Sequence, residues 1–393
     1  MMKLSDSKSF ELVAVIGTIC AFSFCVGFVY PVIALALEAK GYDEAAIGIS
    51  ATATGIGVLV AGLMVPSLAR AYGTFSLLAG SALLAVFCLL LFPLVDNFTL
   101  WLCLRFFLGA AVTALFCAGE AWINAVAEDD SRGRTVAIYV AAMASSFAAG
   151  SLAVKAVGYQ GYTPYILASL VILVCFIPIL PFHRRDPLLE EGDTAGRKGV
   201  LVRVFYEAVI LMVVVGLFGV LDGVMLGLMP SYALSQGVGD GNASLPMAAM
   251  AAGVVLFQFP LGYLSDRMSR TRLLTIILFI VVGFGLVVPE LDLTKWHGLV
   301  IMAVFGGVSF APYTLALSIL GERYRGQKLA AGSALFAIMW GIGGTVGPMG
   351  FGVAMQELGS TALPYGLSLL FLLTGVISVF DRTVAPVRAN KGL

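Results

Sequence analysis

Long apolar segments separated by short polar ones run through the whole chain. With about 20 apolar residues for one membrane crossing, the pattern predicts twelve transmembrane helices. The longest polar interruption, residues 183–203, contains both signs of charge and turn-forming residues, and it separates six predicted helices from six. The approximate limits of the predicted helices are 10–37, 45–68, 75–95, 98–126, 134–158, 163–182, 205–235, 244–264, 272–289, 298–321, 328–356 and 362–381.

The composition supports a helical membrane protein. Hydrophobic residues make up 60% of the chain and charged residues 12%, and the mean hydropathy is +0.99. Soluble domains carry about 25% charged residues. The first apolar run, 10–37, is too long for the core of a signal peptide and is predicted to be the first spanning helix. We therefore expect an all-α membrane protein made of an N-terminal six-helix bundle (1–182), a linker (183–204) and a C-terminal six-helix bundle (205–393).

The distribution of positive charge predicts the orientation. If the N-terminus is cytoplasmic, 19 of the 23 Lys and Arg residues fall in cytoplasmic segments. Only Lys40 and Lys295 fall in outer loops, and Arg105 and Lys155 lie inside predicted helices. Because cytoplasmic loops of membrane proteins are enriched in Lys and Arg, we expect a multi-pass protein of the plasma (inner) membrane with both termini and the linker in the cytoplasm.

The two halves of the sequence resemble each other. Arg132-Gly133 precedes the fifth predicted helix as Arg325-Gly326 precedes the eleventh, 193 residues later. The same offset aligns Glu120 with Tyr313. Transporters built from two such parallel repeats bind their substrate between the halves, near the middle of the bilayer. The repeat therefore predicts two pseudo-symmetric bundles around a central cavity.

Three charged residues inside predicted helices are candidates for a functional role. Arg105 and Glu120 both belong to the helix at 98–126, and Asp222 belongs to the seventh. A charge in the bilayer costs at least ~2.5–3.5 kcal/mol, so such residues usually face the bundle interior or a water-filled cavity. Fifteen helical residues span roughly 22 Å and leave Arg105 and Glu120 about 60° apart. Both side chains are therefore expected to face one groove.

Each of these residues has two interpretations at this stage. Arg105 is either a structural counter-ion that holds helices together or a group that binds substrate or protons. The same alternatives apply to Glu120 and Asp222, and we expect Asp222 and Arg105 to approach each other across the interface between the halves. Tyr30 and Tyr313 lie inside their predicted helices and are candidates for hydrogen bonds to substrate. Arg105 also suggests an anionic or zwitterionic substrate.

A loop between the eighth and ninth predicted helices carries the most specific motif, Gly262-Tyr-Leu-Ser-Asp266-Arg267-Met-Ser-Arg270-Thr-Arg272. It resembles the G-x-L-A-D-R-x-G-R-K loop of the major facilitator superfamily. That resemblance implies a cytoplasmic latch, with Gly262, Asp266, Arg267 and Arg270 as gating residues that favour the outward-open state. The equivalent loop of the first half has Arg70 where the acid is expected, so gating is expected to depend on Asp266.

Further motifs extend the resemblance along the chain. Arg105-Phe-Phe-Leu-Gly109 is similar to the R-x-x-x-G pattern of the fourth helix, and Gly119-Glu120-Ala-Trp-Ile-Asn124 is similar to sequences of the YcaD-like branch. The resemblance implies a secondary active transporter that works by alternating access and is coupled to protons. The glycines of Gly343-x-x-x-Gly347-Pro348 are better explained by helix packing than as a drug-antiporter motif. The alternatives to a proton-coupled secondary transporter are an uncoupled facilitator, a drug or metabolite efflux pump, or a non-transporting membrane sensor.

Other functional classes lack support in the sequence. The six cysteines lie inside apolar runs without metal-ligand spacing, the two histidines form no cluster, and no Walker-type phosphate loop is present. We therefore expect no enzyme activity, no cofactor, no metal and no nucleic-acid partner. The expected partners are a small-molecule substrate, protons and the lipid bilayer, and the protein is expected to be a monomer.

Overall fold

A computed structural model describes residues 4–126, 132–183 and 198–380. The regular structure of these residues is entirely helical. The α-helices of this part of the chain are α1 Leu4–Ala39, α2 Glu44–Tyr72, α3 Thr74–Leu91, α4 Phe98–Val126, α5 Arg132–Val157, α6 Thr163–Phe176, α7 Lys198–Glu207, α8 Val209–Ser235, α9 Leu245–Arg267, α10 Arg270–Val287, α11 Trp296–Arg323, α12 Gly326–Leu358 and α13 Ala362–Phe380.

The long helices coincide with the predicted crossings. Within the described ranges, eleven helices are long and apolar enough to cross a membrane. Helix α9 covers the eighth predicted crossing, residues 244–264, but does not belong to these eleven. The all-helical membrane class is therefore confirmed, whereas twelve crossings in two bundles stays a prediction.

Proline residues shape the ends of several helices. Helices α3, α6 and α10 continue into short 3-10 turns, Phe92–Leu94, Ile177–Phe182 and Val288–Glu290, each with a proline at its start. Proline has no backbone N–H and favours the first turn of a helix. The tighter turns extend these helices by one to two turns toward the membrane surface.

The predicted linker contains a helix of its own. Helix α7 occupies Lys198–Glu207. The helical conformation is interrupted at Ala208, which has φ −136° and ψ 34°. Helix α8 therefore begins at Val209, four residues later than the predicted start at 205. Lys328 of α12 places its Nζ 2.8 Å from Glu207 Oε2, and Arg203 places its Nε 2.7 Å from Glu207 Oε1. The Lys328–Glu207 pair fastens α7 to α12, and the Arg203–Glu207 pair lies within α7.

We expect the attachment of α7 to weaken in acid. Hydrogen bonds from Lys328 and Arg203 hold the pKa of Glu207 below its usual value. The stability that the ionised Glu207 carboxylate contributes is therefore present at neutral pH and is lost as the pH falls through the lowered pKa. Such exposed pairs contribute about 0.2–1 kcal/mol. Hydrogen–deuterium exchange of the backbone amides of residues 198–207 should therefore rise a few-fold at acid pH, after correction for the intrinsic pH dependence of amide exchange. Glu207→Gln should show this faster exchange already at neutral pH, and Glu357→Gln, at the far end of α12, should not. Equal exchange in wild type and Glu207→Gln would contradict the attachment.

Helices before and after the linker pack mainly within their own half. In the first half, α2 and α3 pack on α4, and α5 and α6 pack on α1. In the second half, α9 and α10 pack on α11, α8 packs on α12, and α13 packs on α10. The largest contacts between the halves join α2 to α12 and α5 to α9. The domain limits 1–182, 183–204 and 205–393 stay predictions.

The halves meet along a seam of small residues at one end of the molecule. A Cβ at Gly48 would overlap the backbone oxygen of Pro348, and one at Gly55 would overlap the backbone of Gly344. Hydrogen bonds join the halves at the same end, including Ser244 Oγ to the Ser151 carbonyl at 2.7 Å and Tyr159 to Asp240 at 2.9 Å. We call this the closed end. It comprises the end of α1, the start of α2, the ends of α5, α8 and α12, and the start of α9.

The halves separate at the opposite end, which we call the open end. Glu120, in the last third of α4, is exposed there although its helix lies inside the bundle. A Cβ at Gly262 of α9 would meet no atom within 4 Å. A cavity of about 100 Å³ lies between α9 and α11, lined in part by Gly262, Ser265 and Thr314. In the described residues, the close contacts between the halves therefore lie at the closed end, and Glu120 is exposed at the open end.

Candidate functional site

Arg105 lies in α4 and is completely buried, with 0% of its surface exposed. Its Nε donates a hydrogen bond to Ser50 Oγ at 3.1 Å, and its guanidinium carbon lies 5.5 Å from the centre of the Tyr30 ring. Its Nη2 has no hydrogen-bond partner. Within the described ranges, no carboxylate lies within ion-pair distance of Arg105. The site therefore contains a buried cation with an unused donor.

Glycines set the distance between Arg105 and its partners. A Cβ at Gly109 would overlap the Thr54 carbonyl, and one at Gly57 would overlap the Phe106 carbonyl. Helices α2 and α4 can approach this closely only because these positions lack side chains. The glycine of the R-x-x-x-G pattern therefore brings Ser50 within hydrogen-bond distance of Arg105.

Asp222 lies in α8, in the second half, and is partly buried. Its Oδ2 accepts a hydrogen bond from Trp340 Nε1 at 3.2 Å. The expected direct approach of Asp222 and Arg105 is not formed in this structure, because each side chain bonds to a neighbour in its own half. The Tyr30 hydroxyl interacts electrostatically with both charged groups, so the contact between the halves is indirect.

Aromatic rings line the space beside Asp222. The rings of Phe218 and Tyr313 stack with centroids 4.5 Å apart and an interplanar angle of 20°. Phe310 meets Phe218 edge-on at 5.1 Å. The Tyr313 hydroxyl interacts electrostatically with Glu120 and with Asp222. Tyr313 of the second half therefore lies near a carboxyl group from each half.

Glu120 is bound to the neighbouring helix of its own half. The Tyr139 hydroxyl donates a hydrogen bond to Glu120 Oε1 at 2.8 Å. Glu120 is nevertheless exposed, and its charge reaches Tyr313 across the space between the halves. Glu120 is therefore both exposed and within electrostatic range of the second half.

Electrostatic interactions connect the five predicted binding residues. Tyr30 interacts with Arg105 and Asp222, and Tyr313 interacts with Glu120 and Asp222. The roles of these residues in substrate or proton binding stay predictions.

The predicted gating residues lie at the open end. Gly262 makes no close helix contact in this structure. Arg267 stacks on Tyr263, with its guanidinium carbon 4.2 Å from the ring centre, and Arg270 pairs with Glu322 of α11 at 2.9 Å. Asp266 lies in the last turn of α9, but its side chain is outside the described residues. The proposed latch role of these residues stays a prediction.

Sequence reasoning missed several polar partners. Ser50 and Tyr139 are common residue types in membrane helices, and nothing in their local sequence marks them. Glu11 is a charge inside the first apolar run, a signal that could have been used. It has 1% of its surface exposed and accepts a hydrogen bond from Trp122 Nε1 at 3.0 Å. Thr52, in α2, bonds to the backbone of α12 in the other half.

The described part of the chain contains no group of three or more His, Cys, Asp or Glu side chains arranged to hold a metal ion. The six cysteines are free thiols.

Gly343 and Gly347 of the G-x-x-x-G-P sequence allow close contact between α12 and the backbone of α8, around Gly216 and Val220. This contact agrees with the packing interpretation of the motif.

The chain is similar to known proteins along most of its length. A sequence profile of the Major Facilitator Superfamily matches residues 15–348 and again 211–392. The uncharacterized MFS-type transporter YfkF of Bacillus subtilis (strain 168) is 27% identical over 363 residues, which is 88% of this chain and 89% of that protein. The uncharacterized MFS-type transporter YcaD of Escherichia fergusonii is 25% identical over 331 residues, 82% of this chain and 80% of that protein.

Solved structures share the same architecture. The nucleoside transporter NupG superposes with a TM-score of 0.76 at 10% identity, covering 95% of this chain and 98% of its own. The D-xylose-proton symporter superposes with a TM-score of 0.68 at 14% identity, covering 93% and 96%. At this level of identity, the similarity shows the fold alone.

Proposed function

The chain belongs to the major facilitator superfamily, and we propose that it is a secondary active transporter that moves a small molecule by alternating access. It is a multi-pass protein of the plasma membrane, and its relatives are MFS-type transporters. The observation that carries the proposal is the arrangement of the halves, which meet at the closed end and separate at the open end. The proposed binding residues are Arg105, Tyr30, Asp222, Tyr313 and Glu120, and Tyr313 interacts with a carboxyl group of each half. Its family is one of transporters rather than enzymes.

In the proposed orientation, both termini are cytoplasmic and the open end faces the cytoplasm. The arrangement of positive charge supports this orientation. Arg70, Arg267 and Arg323 lie at the open end, whereas Lys40 and Lys295 lie at the closed end. The conformation is then inward-open. The twelve crossings include α9, and the two bundles 1–182 and 205–393 rock about the site as a monomer.

The proposed coupling ion is the proton, and Glu120 and Asp222 are its proposed acceptors. A carboxyl group binds a proton more or less readily as its exposure to water changes. Closing the open end would remove Glu120 from water, and opening the closed end would give water access to the region of Tyr30 and Asp222. Alternating access would therefore change proton binding at both carboxyl groups.

The proposed substrate is a protonated amine or another organic cation. Glu120 is exposed between the halves and Asp222 is partly exposed, whereas Arg105 is fully buried. Arg105 therefore gives no support to an anionic substrate in this conformation. The stacked rings of Phe218 and Tyr313 lie beside the carboxyl groups, and aromatic faces attract cations.

The test begins with a thermal-shift screen of the purified protein against cationic, neutral and anionic metabolites and drugs. A ligand that binds the folded state raises the apparent stability, and we expect the stabilising compounds to be cations. Uptake of a labelled hit into proteoliposomes should follow an imposed pH gradient and stop when a protonophore collapses it. Uptake unaffected by the protonophore would indicate an uncoupled facilitator.

We expect Glu120→Gln and Asp222→Asn each to lower pH-gradient-driven uptake at least tenfold, because each removes one proton-binding carboxyl while keeping its shape. Removal of a positioned proton acceptor typically changes rates by about 10²–10⁴-fold in enzymes, which sets the scale. Glu357→Gln removes an exposed carboxyl at the end of α12 and serves as the matched control. Gradient-driven uptake that persists in both variants would exclude the two carboxyls as coupling sites.

A further inference from the structure

Thr52 of α2 hydrogen-bonds to two backbone groups of α12 at the closed end. Its Oγ1 donates to the Thr345 carbonyl at 2.8 Å and accepts from the Met349 backbone N–H at 3.1 Å. The Thr52 hydroxyl therefore acts as both donor and acceptor toward the backbone of the opposite half. The halves are linked at this point by a side chain that neither the repeat nor the motifs identify.

The two backbone groups are partners in the helical ladder of α12. In an α-helix, the N–H of residue i donates to the carbonyl of residue i−4, so Met349 would pair with Thr345. Pro348 comes directly before Met349 and lacks an N–H, and a proline weakens and bends the ladder around it. The Thr52 hydroxyl therefore bonds to both backbone groups of one position in this ladder, beside the proline.

The surroundings offer few substitutes for this hydroxyl. Gly55 and Gly344 allow the two helices to touch beside Thr52, and the Met349 side chain has 49% of its surface exposed on the outside of the bundle. When α2 moves away from α12, Thr345 and Met349 therefore lose this partner, and the gap between the halves opens to water.

We propose that Thr52 is a gating residue that couples closure of this end to the shape of α12. With the halves together, the Thr52 hydroxyl supports the turn of α12 beside Pro348; with the halves apart, that turn loses this support. The seam and this turn then form one two-state element that substrate or protons can bias. The proposal rests on the proposed alternating access but concerns a residue outside the binding site.

The test is hydrogen–deuterium exchange of the full-length protein in lipid nanodiscs. Thr52→Val removes the hydroxyl at nearly unchanged shape, and Thr52→Ser retains it. In Thr52→Val, we expect exchange of the Met349 amide to rise roughly two- to tenfold, the range for loss of one hydrogen bond. Exchange should also rise in 44–52 and 345–355 at the closed end and fall in 262–270 and 320–326 at the open end. Thr52→Ser should resemble wild type.

Thr113→Val is the matched control, because the Thr113 hydroxyl bonds within its own helix to the Gly109 carbonyl at 3.0 Å. It should leave exchange at the Met349 amide unchanged. The proposal is overturned if Met349 exchanges at the same rate in Thr52→Val and wild type, or if exchange rises at both ends together. Failure of Thr52→Ser to restore the wild-type pattern would also overturn it. These readouts need no substrate, so absence of transport by wild type would refute the proposed function separately.

Discussion

Replacing Gly48 with valine should keep the closed end from forming and strongly reduce transport. A Cβ at Gly48 would overlap the Pro348 carbonyl oxygen, and the Gly352 Cα lies beside the same point. These are backbone atoms and cannot rotate away as a side chain would. Overpacking costs about 1–3 kcal/mol, which shifts a two-state equilibrium by roughly 5- to 150-fold. Because the cost arises only when the seam is closed, the outward-open state is favoured.

Two measurements check this prediction. Hydrogen exchange of 44–52 and 345–355 should rise in Gly48→Val, and uptake into proteoliposomes should fall in proportion to the lost closed state. Gly80→Val is the control, because Gly80 lies in α3, is exposed, and its Cβ would meet no atom within 4 Å. Wild-type uptake by Gly48→Val would show that transport does not require the seam to close.

Replacing Arg105 with methionine should abolish transport and raise thermal stability. The guanidinium is fully buried, bonds only to Ser50, and has an unpartnered Nη2. Replacing buried charges with apolar residues of similar volume is often neutral or stabilising, by about 1–4 kcal/mol in soluble proteins. Methionine has a similar length and fills irregular space. We therefore expect the apparent Tm to rise by about 2 °C or more, while uptake falls at least tenfold.

This combination separates the two interpretations of Arg105. A structural counter-ion would lower the Tm when it is removed, and transport would fall only with the amount of folded protein. Arg105→Lys is the matched variant, since it keeps the charge but replaces the planar guanidinium group with a single ammonium group. We expect it to fold and to transport poorly. A Tm that falls in Arg105→Met, with transport per folded molecule unchanged, would exclude a functional role.

The apolar segments made most of the helices predictable. Apolar runs of the right length between polar loops leave little alternative to membrane helices, so α1 to α6 and α8 to α13 lie close to their predicted limits. Helix α7 was missed because it is short and lies in a polar segment. Its ion pair from Glu207 to Lys328, 121 residues away, is a tertiary contact that the local sequence does not reveal.

The candidate site was predictable only in part. Arg105, Glu120 and Asp222 stand out because a charge is rare in an apolar helix. Their partners Ser50, Tyr139 and Trp340 do not stand out, since their importance depends on how helices align in three dimensions. The prediction that Arg105 and Asp222 approach each other did not take these local partners into account. Thr52 was missed for the same reason, because its role depends on the register between α2 and α12.

The unpaired charge of Arg105 has an electrical consequence. The guanidinium remains protonated, and in the described ranges no carboxylate accompanies it as an ion pair. Any displacement of α4 along the membrane normal then moves Arg105 through the transmembrane field together with Glu120 of the same helix, and a full crossing of one net charge corresponds to about 2.3 kcal/mol per 100 mV. The membrane voltage therefore acts on the rocking of the first half when Glu120 is protonated, even when the cargo itself is uncharged.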